Sequence, residues 1–112
     1  MRTKPLEKDI QKQILDYLHL RGILAWRNNT GAMSGFHKGK KWFMHFGAIG
    51  SGDIFGVTKA GTFFSIEVKA PGKKATTAQL VFMEAVRGTK GIAFVADDLD
   101  QVIKELFPDD VR

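Results

Sequence analysis

GDIFGVTKAGTFFSIEVK, residues 52–69, is the stretch on which the fold turns. Two β-prone runs flank Lys59-Ala60-Gly61, which predicts a hairpin. After Phe63 the residues alternate, so Phe63, Ser65, Glu67 and Lys69 face one way and Phe64, Ile66 and Val68 the other. Glu67 and Lys69 are therefore neighbours on one face. A three-residue loop at Lys59-Ala60-Gly61, with glycine supplying the left-handed position, sets Thr58 opposite Thr62 and Asp53 opposite Glu67. The two carboxylates then stand side by side, with Cβ atoms about 4.5–5.5 Å apart. Like charges so placed repel, which makes sense if a cation sits between them, and a divalent ion with oxygen ligands is the natural candidate. A two-residue loop would shift the register by one and turn Asp53 to the wrong face, so loop length decides the matter.

Outward from the hairpin, length and composition set the bounds. The 112 residues are one domain's worth, with room for a modest core, and 1–112 is read as a single unit. The absence of cysteine excludes disulfides and thiolate metal sites and is compatible with a reducing cytoplasm. The start, Met1-Arg2-Thr3-Lys4-Pro5, leads into a charged amphipathic stretch, and no apolar run approaches membrane-spanning length. A soluble cytoplasmic protein is expected. The formal charge is +5, and no acidic residue lies between Asp16 and Asp53, where Arg21, Arg27, Lys38, Lys40 and Lys41 fall. Those five bases equal the whole excess. Such asymmetry points to a polyanionic partner approaching one side.

Residues 5 to 20 read as a helix with Leu6, Ile10, Ile14, Tyr17 and Leu18 at helical spacing and Pro5 in the first turn. Glu7 shares or borders that apolar stripe. It is either a first-turn glutamate favoured by the helix dipole or an inward carboxylate. Gly22 ends the helix, and Ile23-Leu24-Ala25-Trp26-Arg27 predicts a strand. From Asn28 to Ser51 the pattern dissolves into glycine-rich sequence, read as a long functional loop or a flexible hairpin with a short strand over Lys41 to Phe46. Its bases alternate with Phe36, Trp42, Phe43 and Phe46, so phosphate contacts can combine with stacking on unpaired bases.

Ala70-Pro71-Gly72-Lys73-Lys74 is a basic turn, and Thr76 begins a second helix with Phe82, Met83 and Val86 inward. Gln79 has two readings: partner of Thr76 in a capping box, or an amide looking into the Glu67 site. Ile92 to Ala96 is a buried strand, placed parallel to the Glu67 strand by the length of the crossover. Asp97 or Asp98 caps a last helix through Phe107, and Pro108 stops it. His19, His37 and His45 have no partner acid in the stretch between Asp16 and Asp53, which argues against histidine catalysis.

Helix with Glu7, strand, loop, Gly52-Asp53 strand, Glu67-Val68-Lys69 strand, helix with Gln79, buried strand: over residues 5 to 107 this order resembles the PD-(D/E)xK nuclease superfamily and, within it, a stand-alone VRR-NUC (virus-type replication–repair nuclease) domain. An Asp followed by Glu-x-Lys is weak alone and more specific with the helical Glu before it and Thr-x-x-Gln after it. The family's usual proline before the aspartate is Gly52 here, which alters backbone stiffness and leaves the chemistry available. The resemblance implies an α/β restriction-endonuclease-like core, a mixed central sheet flanked by helices in the order α-β-β-β-α-β with a C-terminal helix.

It also implies a metal-dependent DNA endonuclease hydrolysing phosphodiester bonds, probing branched DNA such as a Holliday junction in phage or bacterial replication, recombination or repair. On that view Asp53, Glu67 and the Val68 carbonyl hold Mg²⁺ or Mn²⁺, with Glu7 binding a second metal or orienting a metal-bound water. Lys69 activates the attacking water or stabilises phosphorane charge, and Gln79 orients Lys69 or the water. Arg27, Lys38, Lys40, Lys41, Lys73 and Lys74 are the expected DNA contacts, and a homodimer matches the need to cut two strands. The alternative from another class is a non-cleaving nucleic-acid-binding module with a structural cation site. A restriction-type enzyme would need a base-reading element that the chain does not display.

Overall fold

The computed structural model describes residues 6–28, 31–46 and 50–110. Helix α1 (Glu7–Leu20) buries Ile10, Ile14, Leu15 and Leu18, while Leu6 stands exposed as its N-cap and Tyr17 is half-buried. The expected stripe is thus shifted: Leu6 precedes the first helical residue and leaves the core, and Leu15 joins it. The predicted place of Pro5 lies outside the described residues. Gly22, at φ 74°, reverses the chain, and the Ile23 N–H reaches back to the Leu18 carbonyl (2.9 Å). Both of those apolar side chains are buried, as this helix ending favours.

Strands β1 (Leu24–Arg27), β4 (Ile54–Val57), β5 (Phe63–Val68) and β6 (Ile92–Ala96) form a four-stranded sheet in the order β1-β4-β5-β6. The first two pairings are antiparallel and the last is parallel, as the crossover through helix α2 (Thr77–Gly88) predicts. Alternation sorts the sheet into two faces. Ala25, Ile54, Phe64, Ile66, Val68, Phe94 and Ala96 pack with α1 and with Val102 of helix α3 (Leu99–Leu106). Ala93 packs with Met83 and Val86 of α2 on the other face, joined by Phe63, Phe82 and Val95. Each fully buried large side chain contributes about 1.5–3 kcal/mol, so the Phe64, Ile66 and Val68 row anchors β5 firmly. The fold is a mixed α/β layer arrangement, helices on both faces of a mixed sheet.

The segment between β1 and β4 resolves the loop-or-hairpin choice in favour of a hairpin. Strands β2 (Gly31–His37) and β3 (Lys40–Phe46) pair antiparallel as a separate two-stranded sheet, and β3 runs one residue further back than the expected Lys41. Among the described residues no helix is long and apolar enough to cross a membrane.

Candidate functional site

Gly61 takes φ 89°, Thr58 donates its N–H to the Thr62 carbonyl (2.9 Å), and Ile54 pairs with Ile66. This is the three-residue loop, and its register runs on to set Asp53 beside Glu67. The ladder itself stops at Ile54. Asp53 gives its N–H to the Ile66 carbonyl (2.8 Å), and its carboxylate Oδ2 accepts the N–H of Val68 (2.7 Å), a donor that a continuing strand would have satisfied with backbone. Because N–H and C=O of one strand residue share an edge, the Val68 carbonyl lies on the Asp53 side as well.

Asp53 is held from behind by Asn28, a residue the sequence reading did not single out. The Asn28 N–H donates to the Asp53 carbonyl (2.9 Å), and its side-chain amide donates to Ser51 Oγ (2.7 Å) and the Gly52 carbonyl (2.9 Å). Its only sequence signal is an Asn directly after a strand. Gly52 also has a steric reason: a Cβ there would fall against Ser65 Oγ and the Ile66 carbonyl. Close approach to β5, more than altered stiffness, explains the glycine.

Glu67 projects from β5 toward α2 and is 4% exposed. Its Oε1 accepts the side-chain amide of Gln79 (2.7 Å) and faces the Lys69 ammonium at 3.8 Å. Its Oε2 is buried and meets no donor. The two readings of Gln79 turn out to be compatible. Its Oε1 accepts the Thr76 N–H (2.8 Å) while its own N–H donates to Thr76 Oγ1 (3.2 Å), completing the capping box, and its Nε2 remains for Glu67.

Electrostatics follow from this crowding. Burial pushes the Glu67 carboxyl up to about 8, the Asp53 charge pushes the same way, and Lys69 opposes both. Asp53 is also raised by burial, against the Val68 N–H that stabilises its anion. With both ionised the pair carries two negative charges against the single Lys69; one shared proton, or one cation, relieves it. An acceptor oxygen buried without a donor, next to a second carboxylate and a backbone carbonyl, is an all-oxygen set of the kind hard divalent ions take. Ser65, on the same face, has a second buried oxygen without a partner.

The other expected residues are spread out. Glu7 is half-buried at the start of α1, and its charge raises both carboxylates, yet among the described residues no three acidic or histidine groups converge on one point. Arg27 ends β1 opposite Ile54, the strand residue that follows Asp53. Lys73 and Lys74 are exposed just before α2, in a turn shaped by Gly72 at φ 88°. Lys38, Lys40 and Lys41 are exposed at the β2–β3 tip. His19 Nε2 donates to the Ala25 carbonyl (2.7 Å), a structural tie between α1 and β1. The side chain of His45 and those of Trp42, Phe43 and Phe46 lie outside the described residues. An apolar cleft of about 470 Å³ opens by Thr62, Phe64 and Phe107, at the opposite end of β5 from the carboxylates. No protein-family model matches the chain, and no curated protein matches it significantly.

Proposed function

We propose that the chain is a Mg²⁺- or Mn²⁺-dependent DNA endonuclease of the VRR-NUC kind within the PD-(D/E)xK superfamily, with a restriction-endonuclease-like core. It hydrolyses phosphodiester bonds in branched DNA, as a cytoplasmic homodimer in a bacterial or phage-infected cell. The observation that carries the reading is the buried, donor-free Oε2 of Glu67 beside Asp53, with Lys69 and Gln79 gathered at the other oxygen of the same carboxylate. The order of elements around it and the acid-free basic stretch from Arg21 to Lys41 add to that support.

Asp53, Glu67 and the Val68 carbonyl would hold the ion, with Glu7 close enough to add charge from the first turn of α1. A bound divalent ion lowers the pKa of water and neutralises phosphoryl oxygens. The remaining work belongs to the chain. Lys69, largely buried, carries a fixed positive charge beside the position where the phosphate gains negative charge, a form of stabilisation that is strong in a water-poor site. Gln79 holds Glu67 Oε1 by its amide, so the carboxylate keeps one orientation and leaves Oε2 as the oxygen that would bind an ion. Asn28 fixes the Asp53 backbone, which places its carboxylate where the Val68 N–H holds it. Arg27, Lys73 and Lys74, and the hairpin lysines, supply the phosphate contacts that position DNA.

A cleavage panel of duplex, single-stranded, flap and four-way junction DNA with Mg²⁺, Mn²⁺ or EDTA tests this directly. Cleavage of the branched forms that stops in EDTA is expected. Binding without any cleavage, in either metal, would leave the non-cleaving module as the better reading.

A further inference from the structure

The β2–β3 hairpin is inserted between β1 and β4, so both its ends return to the carboxylate site. Asn28, one residue past β1, is bonded to Ser51, Gly52 and Asp53, which ties the two feet of the insertion together next to Asp53. Seven residues per strand make a ribbon about 23 Å long. Its turn is Lys38-Gly39, at φ 51° and 78°, the mirror-image turn that suits a tight hairpin and leaves Lys38 at the apex. His37 pairs with Lys40, and Phe36 with Lys41.

Phe36 is 77% exposed in the middle of this basic tip. A lone exposed apolar residue needs no explanation. Here, however, Lys41 stands opposite Phe36 on the same face, Lys38 is at the turn and Lys40 is on the other face beside His37, all exposed, with no acid anywhere between Asp16 and Asp53. We propose that the tip is a finger for unpaired DNA bases: Phe36 stacks on a base that has left the duplex while the lysines hold the flanking phosphates. Of the side chains that read a paired groove, Gly35-Phe36-His37-Lys38-Gly39-Lys40-Lys41 has no Arg, Asn or Gln and only lysines, which serve phosphates as readily as base edges. A phenyl ring offers a π-face, which any unstacked base can meet. The inference deepens the nuclease reading, on which it rests only for cleavage, by naming Phe36 as the side chain that meets an unpaired base of the branched substrate.

The test is binding in EDTA, measured by fluorescence anisotropy with a labelled splayed fork and with a fully paired duplex of the same sequence. Phe36→Ala should weaken fork binding about tenfold, the scale of losing one stacked base, and duplex binding by less than about twofold. Phe36→Trp should keep fork affinity, and Phe36→Leu, which retains bulk without a π-face, should lose it as alanine does. Wild-type protein should also quench a 2-aminopurine placed at the first unpaired position. Equal losses on fork and duplex, full affinity in the leucine variant, or no loss at all would overturn the finger. Fork preference without metal-dependent cleavage would sink the nuclease reading and leave the finger standing.

Discussion

The molecule contains two hairpins that handle charge in opposite ways. The β4–β5 hairpin lies inside the sheet, covered by helices on both faces, and turns its charged residues into a place where Glu67 is 4% exposed. The β2–β3 hairpin pairs only with itself in the sheet and turns Lys38, Lys40 and Lys41 outward to water. A buried charge demands a partner, because desolvation is costly; an exposed charge is satisfied already and acts at a distance on a polyanion. The first hairpin is therefore where chemistry is expected and the second where binding is expected. Damage to the first should change turnover with binding kept, and damage to the second should do the reverse.

The largest effect should come from the buried hairpin. Glu67→Ala or Lys69→Ala should lower Mg²⁺- or Mn²⁺-dependent cleavage by about 10²–10³-fold or more, with DNA affinity in EDTA within about twofold. If cleavage persists in Glu67→Ala, the site is misassigned. Next, Lys38, Lys40 and Lys41 changed together to alanine should reduce the slope of log affinity against log salt by about 2.7, on the basis of about 0.9 per phosphate contact in duplex DNA. An unchanged slope would remove the exposed hairpin from the interface and erase the contrast between the two.

A pH series sharpens the comparison, because the inner hairpin carries a strongly shifted group. Glu67 titrates near 8 in the fold against an ordinary 4.5, so the native state holds its proton more tightly than the unfolded chain. The corresponding stability is full below about pH 4.5 and is lost as pH rises toward 8. In EDTA the melting temperature should fall across that window, and Glu67→Gln should flatten the fall. A divalent ion that takes the proton's place should raise the melting temperature more at pH 8 than at pH 6. A melting temperature indifferent to Mn²⁺ at pH 8 would leave the buried oxygen of Glu67 without the proposed occupant.

The two hairpins also differed in how much of them could be read from sequence. The inner one was legible almost to the atom, because Gly61 fixes the loop length and the period-2 alternation of Phe63 to Lys69 fixes the faces. What escaped was the end of the ladder: nothing in Asn28 announces that it ties down Asp53, since that contact joins residues 25 apart through a turn in three dimensions. The outer hairpin was legible only as a choice between loop and hairpin. Its strands mix Gly, His and Lys with Phe36, Trp42, Phe43 and Phe46, without the apolar alternation that a covered face imposes, so the period of the pattern had little to reveal. Leu6 and Leu15 exchanged places for a similar reason, because a stripe read by spacing does not say where the first turn begins.

The smallest effect tests how the inner hairpin is oriented by its neighbour. Gln79 serves two masters, with Oε1 capping α2 at Thr76 and Nε2 holding Glu67. Gln79→Glu keeps an acceptor for the Thr76 N–H, so the capping box survives, but it removes the donor to Glu67 and adds a third negative group nearby. Gln79→Ala removes both side-chain contacts while Thr76 Oγ1 still accepts the backbone N–H of residue 79, so half of the capping box is lost, at about 0.5–1.5 kcal/mol. If the amide only caps, the glutamate variant should behave as wild type and the alanine variant should lose stability alone. If it orients the carboxylate, both variants should lose cleavage rate, Gln79→Glu while keeping the α2 cap. A rate loss shared by Gln79→Glu and Gln79→Ala is the measurement that decides, since the alanine variant adds no charge and the glutamate variant keeps the cap.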